Sequence, residues 1–116
     1  MELLRDVCNT PREQAIIEFM YSTGCRIGEI VLLNKNDINW TNHSVIVRGQ
    51  GDKERRVYFN TRAEIWLLRY LNERDDADPA LFVTERAPRR LSIAQTRHVI
   101  KEVSLKSEFN KKISPH

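Results

Sequence analysis

Residues 38–59 read INWTNHSVIVRGQGDKERRVYF, and the hydrophobic period of the chain changes inside this stretch. Residues that favour strands gather in three short runs: Ile38 to Trp40, Ser44 to Arg48 and Arg55 to Phe59. Thr41 and Asn42 separate the first two, and the polar GQGDK of residues 49–53 separates the others. β-Branched and aromatic side chains suit a pleated, half-buried surface, while Gly, Asn and Asp permit tight turns. The stretch predicts a three-stranded antiparallel meander with a glycine-rich last turn.

Helical patterns flank it on both sides. In TPREQAIIEFMYSTG, residues 10–24, Thr10 and Glu13 form a capping box, Pro11 suits the first helical position and Gly24 the stop. Ile16, Ile17, Phe19 and Met20 should form the buried face. A second, short helix is expected from Ile27 to Leu33, ended by the polar NKND of residues 34–37. Beyond the meander, Thr61 and Glu64 suggest another capped helix, with Ile65, Leu67, Leu68 and Leu71 as its apolar stripe. Ser92 and Gln95 start a further one carrying Ile93, Val99, Ile100, Val103 and Leu105. The order of helices, small sheet and helices, without repeats or linker-like tracts, predicts one α+β unit, mainly helical, over residues 1–116.

Composition narrows the function classes. The 116 residues are 41% hydrophobic and 30% charged, as in an ordinary folded domain. The net charge of +3 permits a polyanionic partner without demanding one. Cys8 and Cys25 are too few for a disulfide framework, and no spacing pairs them with His43, His98 or His116 as zinc ligands. No window has the length and apolarity of a membrane span, and no secretory leader is evident, so a reduced, cytoplasmic setting without membrane contact is expected. GxSxG, HExxH, P-loop and GxGxxG patterns are absent.

What remains is basic. Arg26 stands in TGCRIGEIVLL, residues 23–33, between two apolar helical patterns. A guanidinium there offers a planar fork suited to phosphate, yet Glu29 lies three residues on, and spacing alone favours an ion pair between them. The hairpin tip concentrates Arg48, Lys53, Arg55 and Arg56 about two glycines. A basic ribbon of this kind suits a DNA groove, and equally a solvated turn whose charges block edge pairing. Arg89, Arg90, Arg97 and Lys101 stand near the start of the last helix and suit phosphates or solvent. Arg74, in the polar run after the third helix, reads as a surface charge.

Taken in order, TGCRIGEIVLLNKNDINW, VIVRGQGDKERRVYF, a capped helix, LFVT and a terminal ISPH resemble the catalytic domain of the tyrosine recombinases, or phage integrases, of the Xer-like and transposon branch. The resemblance implies DNA breakage and rejoining through a 3′-phosphotyrosine, with no metal or other cofactor, on double-stranded DNA. It implies that Arg26 clamps the scissile phosphate and that Glu29 supports the site. Negative charge building on the phosphate oxygens would be met by fixed cationic and hydrogen-bonding side chains. It further implies DNA contacts from Arg48, Gln50, Arg55, Arg56 and Arg90.

Two positions depart from the family pattern. The family's general-acid lysine falls between the hairpin glycines, where this chain has Gln50, which has no titratable proton to give. Lys53, the motif's second lysine, is the candidate to replace it. His116 matches the first histidine of the HxxRH box, but the sequence ends there, and Tyr21, Tyr58 and Tyr70 all precede it. The expectation is therefore a partial integrase catalytic domain that binds DNA but does not cleave alone. It should self-associate, the parent acting as a tetramer on two DNA sites. The alternative is a non-catalytic DNA-binding or regulatory module that kept the fold and lost the chemistry.

Overall fold

The computed structural model describes residues 10–49 and 53–113, with backbone alone for 107–113. In chain order the elements are α1 (Pro11–Thr23), α2 (Ile27–Ile30), a 3₁₀ turn (Lys35–Asp37), β1 (Ile38–Asn39), β2 (Ser44–Arg48), β3 (Glu54–Tyr58), α3 (Thr61–Glu73) and α4 (Ile93–Ile113). The strands form an antiparallel sheet in the order β1-β2-β3, the meander expected from the sequence.

Local chemistry sets the helix ends. Thr10 Oγ1 accepts the Glu13 N–H at 3.1 Å. Gly24, at φ 70, adopts the left-handed conformation that lets its N–H reach Met20 O at 2.9 Å. α4 opens on a reciprocal box: Ser92 N–H donates to Gln95 Oε1 at 2.9 Å, and Gln95 N–H to Ser92 Oγ at 3.0 Å. At α3 the cap is one residue earlier than the sequence suggested, because Asn60 Oδ1 takes the Ala63 N–H at 2.9 Å. The second helix is also shorter than expected. It closes after one turn, and Asp37 folds back to accept the Asn34 N–H at 2.8 Å.

α1 lies at the centre, packed against α3, α4 and β3. That placement buries a contiguous run of it, Glu13 to Phe19, where the sequence suggested one apolar face; Met20 is only half-buried. Phe19 anchors the core, its ring 6.1 Å from both Phe59 and Phe82, while Tyr70 stacks on Phe82 at 5.7 Å. The fully buried Glu18 receives Arg62 Nε at 2.6 Å, which ties α1 to α3. A smaller apolar contact of Ile17 with Val103 and Ile100 holds α4.

Two sequence expectations are corrected here. The buried stripe of α3 is Ala63, Leu67 and Tyr70, the positions facing α1, while Ile65 and Leu68 stay 44% and 43% exposed. Spacing within the helix gave the period of the stripe but not its rotation about the axis. Arg74 is not a surface charge: its side chain is 7% exposed. Its guanidinium donates to Asp76 at 2.7 and 3.0 Å and to the carbonyls of Asp78, Ala80 and Leu81 at 3.0, 2.8 and 3.0 Å. This fan of bonds folds the loop after α3 back on the core and holds the Asp76 carboxyl down at about 2.

Candidate functional site

The site is built from the turn before α2 and the base of the β2–β3 hairpin. Glu29 occupies the third position of α2, and its Oε1 accepts the Arg26 main-chain N–H at 2.8 Å. The same carboxylate receives Arg55 from across the hairpin, with Nη2 to Oε1 at 2.9 Å and Nε to Oε2 at 3.2 Å. Glu29 is therefore paired with Arg55, not with the Arg26 side chain as spacing suggested. Its side chain is 9% exposed against 50% for Arg55. The Arg55 hydrogen bonds, with help from the Arg26 N–H, hold the Glu29 carboxyl below its ordinary range although burial opposes this. Burial pushes the neighbouring Cys25 thiol up.

Arg26 is left with its backbone fixed and its guanidinium exposed. Among the described residues that guanidinium has no hydrogen-bond or ion-pair partner. This is a preorganised donor fork, able to meet two oxygens of one phosphate.

Strand alternation divides the hairpin arginines. Arg55 pairs in register with Val47 and shares the inner face with Val45 and Val57. Arg48 and Arg56, opposite Glu54 and Ile46, belong to the outer face. Arg48 lies 3.9 Å from Glu54, both well exposed, beside an open groove of about 730 Å³ lined also by Glu29, Leu32 and Gly49. Arg56 is exposed. Lys53 is exposed too, and its carbonyl accepts the Gly49 N–H at 2.9 Å, closing the base of the tip. Gln50 and His116 lie outside the described residues.

Arg90, expected on DNA, turns inward. Its Nη1 donates to the carbonyls of Val31 and Leu33 at 2.9 and 3.0 Å, and its Nη2 to Asn34 Oδ1. It satisfies the Val31 carbonyl freed by the end of α2, shares the Leu33 carbonyl with the Leu81 N–H, and pins the loop before α4 to them. No feature of the sequence separated Arg90 from its neighbour Arg89. Likewise nothing nominated Arg55 as the partner of Glu29, because the two are distant in sequence and only the strand register brings them together.

Comparisons with known proteins agree with the fold. The model of the phage integrase family matches residues 1–116. A tyrosine recombinase XerC from Chlamydia pneumoniae is 34% identical over an alignment of 109 residues that covers 90% of this chain and 35% of that protein. The crystal structure of XerA recombinase superposes with a TM-score of 0.80 at 27% identity, over 94% of this chain and 40% of that one. XerH site-specific recombinase, bound to palindromic difH substrate in a post-cleavage complex, shares the fold with a TM-score of 0.70 at 24% identity, over 90% of this chain and 33% of that one. The chain thus spans about a third of the length of the curated relative it matches. By its fold and by the family match along its length, it belongs to the phage integrase family of tyrosine recombinases.

Proposed function

We propose that these 116 residues are the phosphate-holding part of a site-specific recombinase catalytic domain and that they bind double-stranded DNA. The observation that carries this reading is Arg26: its main chain is fixed through Glu29 while its guanidinium faces solvent unpaired among the described residues. In this account Arg26 clamps the scissile phosphate. Lys53, at the hairpin tip, is the candidate proton donor to the leaving 5′-oxygen in place of Gln50, and His116 is a further member of the site. Exposed Arg48 and Arg56 run along the duplex.

The residues present are suited to binding and not, alone, to cleavage. Tyr70 is buried with its hydroxyl accepting the Val83 N–H at 2.9 Å, which supports a structural role for it in this proposal. Tyr58 is exposed at the end of β3 far from the tip in register, opposite Ser44, and Tyr21 lies on α1. Self-association belongs to the same proposal, the parent acting as a tetramer on two DNA sites. Exposed Leu32, Ile65 and Leu68 supply apolar surface for it.

Duplex binding followed across salt concentration, together with a nicked suicide substrate, tests the proposal. The expected result is binding that weakens with salt by roughly 0.9 log units per log unit of salt for each phosphate contacted. No covalent adduct should form with these residues alone. Absence of binding even at low salt would contradict it, and a covalent adduct would show that one of the three tyrosines attacks after all.

A further inference from the structure

We propose that Arg55 is a positioning residue and not a phosphate clamp: through Glu29 it fixes the hairpin bearing Lys53 relative to Arg26. The inference rests on the phosphate-clamp reading of Arg26. The basic cluster of the tip invites the opposite view, in which Arg55 is one more phosphate ligand.

Three contacts on one carboxylate carry the argument. Glu29 Oε1 takes both the Arg26 N–H, at 2.8 Å, and Arg55 Nη2, at 2.9 Å, while Oε2 takes Arg55 Nε at 3.2 Å. Gly49, on the other side of the hairpin, lies beside it: a Cβ built there would be 3.7 Å from Glu29 Oε2. Gly49 in turn donates to the Lys53 carbonyl at 2.9 Å. One buried carboxylate thus bonds the arginine turn to one side of the tip's base, with the other side next to it.

For Arg55 to grip a phosphate with the edge it presents to Glu29, it must leave that buried carboxylate with, among the described residues, only the Arg26 N–H. Loss of one partner of a hydrogen-bonded, buried charge is strongly unfavourable. Arg48 and Arg56, on the outer face and exposed, have no such commitment to Glu29. The register places Arg55 alone of these three on the inner face, at the end nearest α2.

Arg55→Lys and Glu29→Gln, each in the full chain, separate the two roles when duplex affinity is measured at fixed salt and folding is followed by circular dichroism. Lysine keeps the charge a phosphate needs but cannot reproduce the two-point grip on Glu29. Glutamine removes a negative charge beside a DNA site, so on simple electrostatics it should tighten binding. Positioning by Arg55 predicts that both folded variants lose roughly tenfold in affinity, as expected when a charge-assisted contact is lost. It also predicts that adding Arg26→Ala to either costs much less than in the parent, because the Arg26 contact is already impaired.

Near-parental binding by Arg55→Lys, tighter binding by Glu29→Gln, or Arg26→Ala acting with undiminished effect in either background would overturn the inference and leave the phosphate clamp standing. Should one variant fail to fold, the other carries the same comparison. Should both fail, the test passes to the Arg26 amide resonance in the parent chain, which must shift as Glu29 titrates and also on duplex binding; an amide unmoved by either overturns the inference. A parent chain that binds duplex no better than Arg26→Ala overturns the clamp and this inference together.

Discussion

Arg55 grips Glu29 from across the hairpin, with two of its nitrogens 2.9 and 3.2 Å from the two carboxylate oxygens, although the residues are 26 positions apart. Because Glu29 also caps the Arg26 main chain, the pair joins the sheet to the turn that presents a guanidinium unpaired among the described residues. Arg55 is half-exposed but the carboxylate it grips is buried, so the pair holds the hairpin and the turn in one geometry.

Acid should loosen this junction. Glu29 and Asp76 both have carboxyls held below their ordinary values, Asp76 at about 2. A group whose folded pKa is depressed binds fewer protons in the folded chain, so its stabilisation is present above the unfolded pKa and disappears as pH falls through the folded one. Urea midpoints should therefore be level from neutral pH to just above the ordinary carboxylate range, then fall toward pH of about 2. Asp76→Asn should flatten most of that fall; an unchanged acid limb would assign it to other groups.

Arg74→Ala should destabilise the chain by about 3 kcal/mol, because it leaves Asp76 and three loop carbonyls without their donor. Arg69→Ala, on the exposed face of α3 with its guanidinium over the Trp66 ring at 4.8 Å, should cost less than about 1 kcal/mol. Urea unfolding of the two variants checks the difference, and equal midpoints would refute the structural role given to Arg74.

Arg90→Ala should lower stability by about 1–3 kcal/mol by taking the guanidinium from the carbonyl of Val31 and from Asn34, while the carbonyl of Leu33 keeps the Leu81 N–H. It should leave the salt dependence of duplex binding unchanged. A slope reduced by about one unit would instead count Arg90 among the phosphate contacts.

Phe19→Ala should cost about 3–5 kcal/mol, since the ring meets Phe59 and Phe82 at the centre of the core and the cavity cannot refill from one side. Thermal unfolding reads this directly, and a loss below about 1 kcal/mol would mean that the three rings are not packed as described.

The sequence was most legible where the chain talks to itself over a few residues. The caps at Thr10, Gly24 and Ser92 were read correctly because capping chemistry is local. The meander was read from strand propensity and turn residues, and its register then followed from the fold. What escaped was long-range. The rotation of α3 depended on which side α1 occupied, so Ile65 and Leu68 were placed inside when Ala63 and Tyr70 are. Arg55, Arg74 and Arg90 looked alike as basic residues in polar surroundings, and only tertiary placement gives each its own acceptors. Arg26 was the opposite case, singled out by its motif and found with its side chain exposed.

The central claim is that Arg26 is a phosphate clamp, and the most direct test compares Arg26→Ala with Arg69→Ala in affinity for a duplex carrying a nick or a scissile site. The account predicts a loss of roughly tenfold or more for Arg26→Ala, with a salt slope lower by about one contact, and little change for Arg69→Ala. Equal losses from the two substitutions would contradict it.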